Sequence, residues 1–131
     1  LIPADDTIPQ SNEGFQYLSV PITPQSGSSL LKIDVVVGAF SASTIATLTG
    51  AIFRDAGANA IAAALAVVLQ NGGSNQFQMS CIVAAGSTAT TTFKFRMGLN
   101  GGSTTFNGSA SPTRYFGGVC SSGITVTEFG A

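Results

Sequence analysis

An antiparallel all-β sandwich is the fold class that this 131-residue sequence predicts, and three observations carry it. In several stretches apolar residues recur at every second position, the period of a strand with one buried face. Asn-Gly pairs punctuate the chain at "NGGS" (71–74), "NGGS" (100–103) and "NGS" (107–109), and Asn-Gly supplies the positive backbone dihedrals of tight hairpins. The only stretch of helical composition, Ala60 to Leu69, contains no polar residue to form the solvent face of a helix.

Taken in order, residues 1–13 ("LIPADDTIPQSNE"), with Pro3, Pro9 and clustered acids, read as an extended N-terminal arm leading into a domain over 14–131. The first strand falls near 15–23, with Leu18, Val20 and Ile22 on one side and Pro21 marking an edge position. A second, near 29–39, alternates Leu31, Ile33, Val35 and Val37 with Lys32 and Asp34. The stretch "AIFRDAGANAIAAALAVVLQNGG" fits two periods, since Ile61, Leu65 and Val68 suit a helical stripe while Ile61, Leu65, Val67 and Leu69 share one parity. A strand buried on both sides needs no polar residues, and "RDAGAN" is turn chemistry, so strands near 46–54 and 60–69 are expected with a turn between them. Further strands are expected near 76–85, 90–99 (Phe93, Phe95, Met97 and Leu99 against Lys94 and Arg96), 103–106 and 123–129. In the last, the inward face is ambiguous between Ile124, Val126 and Glu128 and the opposite set, Thr125, Thr127 and Phe129. About eight antiparallel strands joined by short loops, in one domain, predict a two-sheet jelly roll.

Composition limits the function. Charged residues are 8% of the chain and the net charge is -1, with Lys32, Arg54, Lys94, Arg96 and Arg114 scattered and offset by six acids. That pattern lacks the basic patch of a nucleic-acid binder. The longest wholly apolar run, Ala60 to Leu69, is half the length of a membrane helix, so no membrane insertion is expected. The chain does not begin with Met and has no charged leader before an apolar core, which reads as a processed chain or a fragment. Cys81 and Cys120 have no metal-ligand spacing and there is no histidine; buried free thiols are expected, with no metal and no cofactor.

Chemistry is equally constrained. Without histidine the Ser/His and Cys/His arrangements for activating a nucleophile are missing. Asp55 and Glu128 are the only carboxylate pair to weigh for a glycosidase, and they read better as a turn residue and a solvated or cross-strand partner; no enzyme is expected. Surface binding is a separate matter. Tyr115 and Phe116, ahead of Gly117 and Gly118, form a candidate aromatic platform for sugar rings, with Arg114 able to reach a carboxylate or phosphate, and the turn residues Asn71 and Asn100 head further exposed loops.

The ordered motifs "DDTIPQ" with "EG", "IFRDAGANAIAA", "AAGSTATTTFKFRMG", "TTFNG", "YFGG" and the closing "SSGITVTEFGA" give the chain a resemblance across nearly its whole length. It resembles a family of bacteriophage and prophage virion structural domains, the C-terminal heads of tail fibres and small virion-surface proteins. The resemblance implies a trimeric jelly roll of the C1q and tumour-necrosis-factor type. Its implied role is host attachment or assembly with other virion proteins, as a fibre head or as a capsid decoration protein whose 1–13 arm touches its neighbours; a bacterial C1q-like secreted binding module is the third reading. A strand that is apolar on both faces would leave an exposed patch on a monomer, so Ile61, Leu65, Val67 and Leu69 are the expected trimer interface.

Overall fold

The structure, a computed structural model, describes residues 1–130; Ala131, the last residue of the expected 14–131 unit, lies outside them. Eight strands form: β1 (Phe15–Ile22), β2 (Leu30–Ala42), β3 (Ala46–Arg54), β4 (Ala62–Val68), β5 (Ser74–Ala84), β6 (Thr91–Leu99), β7 (Thr104–Phe106) and β8 (Gly123–Phe129). The alanine-rich stretch is strand, turn and strand: β3 and β4 pair from Ile52 opposite Ala62 to Ala46 opposite Val68. All pairings between strands are antiparallel, in two sheets ordered β1-β6-β3-β4 and β5-β2-β7, with β8 also on β2.

Among the described residues only β3 and β4 form a hairpin, and every other connection but one passes from one sheet to the other, which is the winding of a jelly roll. The exception is β7 to β8. Both lie against the same flank of β2, β7 opposite Phe40–Ala42 and β8 opposite Leu30–Val36, as two pieces of one interrupted strand. Residues 107–122 leave the sheet between them.

This winding corrects the expectation that the Asn-Gly sites close hairpins. Asn71 lies between β4 and β5, and Asn100 between β6 and β7, each joining strands of different sheets; Asn107 opens the 107–122 excursion. Positive φ is still used, at Gly72 (71°), Gly102 (84°) and Asn107 (57°). A tight reversal serves a sheet-to-sheet crossing as well as a hairpin, so local turn chemistry does not say which strands pair.

The core is the space between the sheets. Leu31, Ile33, Val35 and Val37 of β2 and Phe93, Phe95, Met97 and Leu99 of β6 are all buried, as their alternation requires. Ile124 and Val126 pack against the same cluster, which settles the inward face of β8. A register shift between Gln16 and Leu18 brings Tyr17 inward too, and its ring stacks on Phe106 with centroids 4.6 Å apart. Arg54 closes one end of the sandwich, donating to the carbonyls of Ala84 (2.9 Å) and Ala85 (2.6 Å) and to the Thr91 hydroxyl (2.9 Å).

The outer faces are treated differently. The N-terminal arm crosses the outside of the β1-β6-β3-β4 sheet. The Ile2 N–H donates to the Leu99 carbonyl (3.0 Å), Gln10 bridges to Asn59, and the Ile2 side chain is buried beside Gly14 and Gly98. On the other sheet the excursion accounts for burial at one end, and Leu30, Val36, Ile82 and Phe129 remain exposed. Among the described residues no helix is long and apolar enough to cross a membrane.

Candidate functional site

Most of the residues singled out for surface binding collect at one end of the sandwich, around the β2–β3 connection at 43–45. Asn71 Oδ1 accepts the Ile45 N–H (2.9 Å) and Asn100 Oδ1 accepts the Thr47 N–H (3.0 Å). Ser43 exchanges two bonds with Ser103: its N–H donates to the Ser103 carbonyl (2.9 Å) and its hydroxyl accepts the Ser103 N–H (2.8 Å). Asn71 and Asn100 are thus stitches that hold three loops together. Their side-chain oxygens are occupied by the protein itself.

The 107–122 excursion builds the rest of this end. It pivots on Asn107, whose N–H donates to the Ala39 carbonyl (2.8 Å) and whose carbonyl accepts the Tyr115 N–H (3.0 Å). The Asn107 side-chain oxygen accepts the Ser122 hydroxyl and lies 3.8 Å from Cys120 Sγ, so one residue ties the departure of the segment to its return. Two glycines allow the close packing: a side chain at Gly38 would run into the Ser121 carbonyl, and one at Gly108 into the Thr113 carbonyl. The Tyr115 hydroxyl reaches the Ser74 hydroxyl at the start of β5 (2.7 Å), beyond β2 from β7, and the strand residues Ala39 and Ser41 are buried at this end.

The excursion places its aromatics unequally. Tyr115 is half-buried, whereas Phe116 is 76% exposed and Val119 79% exposed. The two rings are tilted by 39° with centroids 5.7 Å apart, so they do not form a flat platform. Phe116 has a φ of 53° and is followed by Gly117 (64°) and Gly118 (97°), a single turn that pushes the phenyl ring into solvent. Arg114 stands beside Gly118 and, among the described residues, has no hydrogen-bond or ion-pair partner. The other four cations all have one.

The four residues expected at a subunit interface lie on β4 and at its two ends. Within this chain β4 is an edge strand, and only one of its apolar faces is buried: Ala64, Ala66 and Val68 face the core while Leu65 (64% exposed), Val67 (53%) and Leu69 (79%) face outward with Ile61. Ile45 joins this row, exposed and one residue before Ala46, which pairs with Val68. Its membership depends on hairpin register and had no signature of its own. An open cleft of about 380 Å³ separates β4 from the arm segment Pro3–Thr7.

The two carboxylates weighed for catalysis both hold backbone. Asp55, at a φ of 51°, accepts the Thr92 N–H (2.8 Å) and the Thr91 hydroxyl (2.8 Å), and these bonds, the first above all, keep its pKa below the ordinary carboxylate value. Glu128 accepts the N–H groups of Gln25 (2.8 Å) and Ser26 (3.2 Å), which tie the β1–β2 loop to β8 and likewise lower its pKa. Instead of a cross-strand partner it has a loop to anchor. Both thiols are free, but they are half-buried rather than buried. Cys81 faces the core from the edge strand β5, and burial there pushes its thiol pKa up.

The chain matches no family model, and no curated protein matches it. Among the described residues no group of three or more acidic or cysteine side chains is placed to hold a metal ion.

Proposed function

We propose that this chain is a bacteriophage virion structural protein, a homotrimeric fibre-head domain exposed on the particle for host attachment or virion assembly. The observation that carries this reading is the bare outer row of β4. Leu65, Val67 and Leu69, with Ile45 beside them, put aliphatic side chains into water on an edge strand that has no charged residue. Natural edge strands are normally guarded by charge, proline or cover. An uncharged aliphatic edge fits a surface that other copies of the chain cover, and a closed ring of three would bury it symmetrically.

Host contact falls, on this reading, to the loop end, where Arg114 and Phe116 are free to meet a surface glycan or protein. Ile2 pins the arm to its own domain while Leu1 and residues 3–8 stay exposed, and a decoration protein touching its neighbours through residues 1–13 is the second reading. The proposed role involves no catalysis, cofactor, nucleic acid or membrane insertion, and its site of action is the virion, assembled in the bacterial cytoplasm.

Light scattering at micromolar concentration is expected to give three times the 13.2 kDa chain mass. The mass should persist at high salt, since no charged residue lies on β4. A stable monomer would overturn the trimer, and labelling on intact particles that finds no virion-surface signal would overturn the location.

A further inference from the structure

Two of the few charged side chains share one place on the surface. Lys94 and Arg96, two of the five cations, stand two residues apart on β6 and line one recess of about 230 Å³ on the outer face of the arm-covered sheet. Phe53 of β3 also lines it, with Ser11 from the arm, Gln16 from β1 and Asp55, Ala56 and Gly57 of the β3–β4 turn around it. The volume is that of about eight waters, the scale of one sugar ring.

Neither cation is held in an ion pair, although Lys94 is near enough to Asp55 to help keep its carboxylate charged. Lys94 Nζ donates to the Asp55 carbonyl (2.9 Å), and Arg96 donates through Nε to the Glu13 carbonyl (2.6 Å) and through Nη2 to the Gly14 carbonyl (3.0 Å). These partners are neutral main-chain oxygens. Among the described residues the ion pairs are Lys32–Asp34 and Arg54–Asp55, neither involving Lys94 or Arg96. The acids close by are also engaged elsewhere: Asp55 accepts from Thr91 and Thr92 with Arg54 4.0 Å away, and Glu13 accepts the Gln10 N–H (2.7 Å), so a ligand anion would compete with Asp55 for Lys94. Two of the three ammonium donors and one amino group of the guanidinium therefore have no protein partner. Both side chains are already held in place by these bonds, which reduces the ordering cost of meeting a ligand.

We propose that this recess binds an oxyanion carried on a single sugar unit, with Lys94 and Arg96 on the carboxylate or phosphate and Ser11 and Gln16 on the hydroxyls. The guanidinium edge suits an oxyanion, and the neutral hydrogen-bonding groups suit the sugar body. That the ligand belongs to a host-surface glycan rests on the attachment reading above. The anion site itself does not, so a monomeric protein that still binds would separate the two.

The test is a titration of the isotope-labelled wild-type protein, followed by amide chemical shifts, with glucuronate, glucose 6-phosphate and glucose as probes. Saturable shifts confined to residues around Ser11, Gln16, Asp55–Gly57, Lys94 and Arg96 are expected with an anionic probe and not with glucose at equal concentration. Glucuronate and glucose 6-phosphate in parallel identify which oxyanion is preferred. Lys94→Met should weaken binding about tenfold or more, the effect of losing one charged hydrogen bond, while Lys32→Met, on the other sheet, should leave it unchanged. No shifts with either anion, equal shifts with glucose, or shifts centred on Arg114 would overturn the proposal, whether or not the Lys94 variant folds.

Discussion

β3 and β4 are neighbours paired over seven residue pairs, and both carry apolar side chains on their outer faces, yet only one of those faces is covered. On β3, Thr49, Ala51 and Phe53 are buried, at 7%, 0% and 2% exposure, on the side that the N-terminal arm crosses. One strand over, Leu65 and Val67 stand in solvent. Composition does not separate the two strands; position does, since β3 lies inside the sheet with Arg96 and Lys94 opposite Ala51 and Phe53, while β4 is its edge. The chain covers one outer row itself and leaves the next exposed, and the exposed row is the one proposed as a subunit contact.

The largest effect that tests this difference is at Phe53. Phe53→Ala is expected to cost about 3–5 kcal/mol, as for an aromatic side chain lost from a packed interior, read as a lower urea midpoint at unchanged slope. Leu65→Ala, measured at concentrations where the chain is monomeric, should stay within about 0.5 kcal/mol. Equal losses at the two positions would mean that β4 is covered within the chain and would remove the contrast.

The second effect is on assembly. Leu65→Asp combined with Val67→Asp puts two charges into the proposed interface but none into the core, since both side chains point outward. The pair should reduce the light-scattering mass to that of one 13.2 kDa chain while leaving the far-ultraviolet spectrum of a β protein. An unchanged multiple mass would place the subunit contact elsewhere, with the exposed face around Leu30, Val36, Ile82 and Phe129 the next surface to mutate.

The contrast also explains what could be read in advance. Strand positions were legible because period-two alternation is local: Leu31 to Val37 and Phe93 to Leu99 announce their buried faces residue by residue. Covering is not local. Nothing in "GAIFRDAG" says that Phe53 lies on a covered face of an interior strand, and nothing in "AAALAVV" says that its strand is the edge. The same limit applies to charge, because the recess at Lys94 and Arg96 exists only once the arm and the β3–β4 turn fold onto β6. Asn71, Asn100 and Tyr115 were recognisable as loop residues. Their gathering at one end followed from sheet-to-sheet crossings that turn chemistry does not encode.

The smallest effect concerns a residue that contributes little to the fold. Phe116 combines 76% exposure with a φ of 53°, a left-handed conformation that disfavours a side chain bearing a Cβ. Phe116→Gly removes that penalty and should raise stability by up to ~1 kcal/mol, offset in part by the greater freedom of glycine in the unfolded chain. Phe116→Ala keeps the backbone cost and removes the ring, so its stability should match the wild type within about 0.5 kcal/mol. A gain with glycine beside a neutral alanine variant would identify the ring as held in a strained pose without benefit to folding, the pattern of a side chain presented to a ligand. A loss above about 1 kcal/mol with alanine would instead show that the ring packs on the excursion, through Tyr115, and would reassign Phe116 from the binding surface to the scaffold.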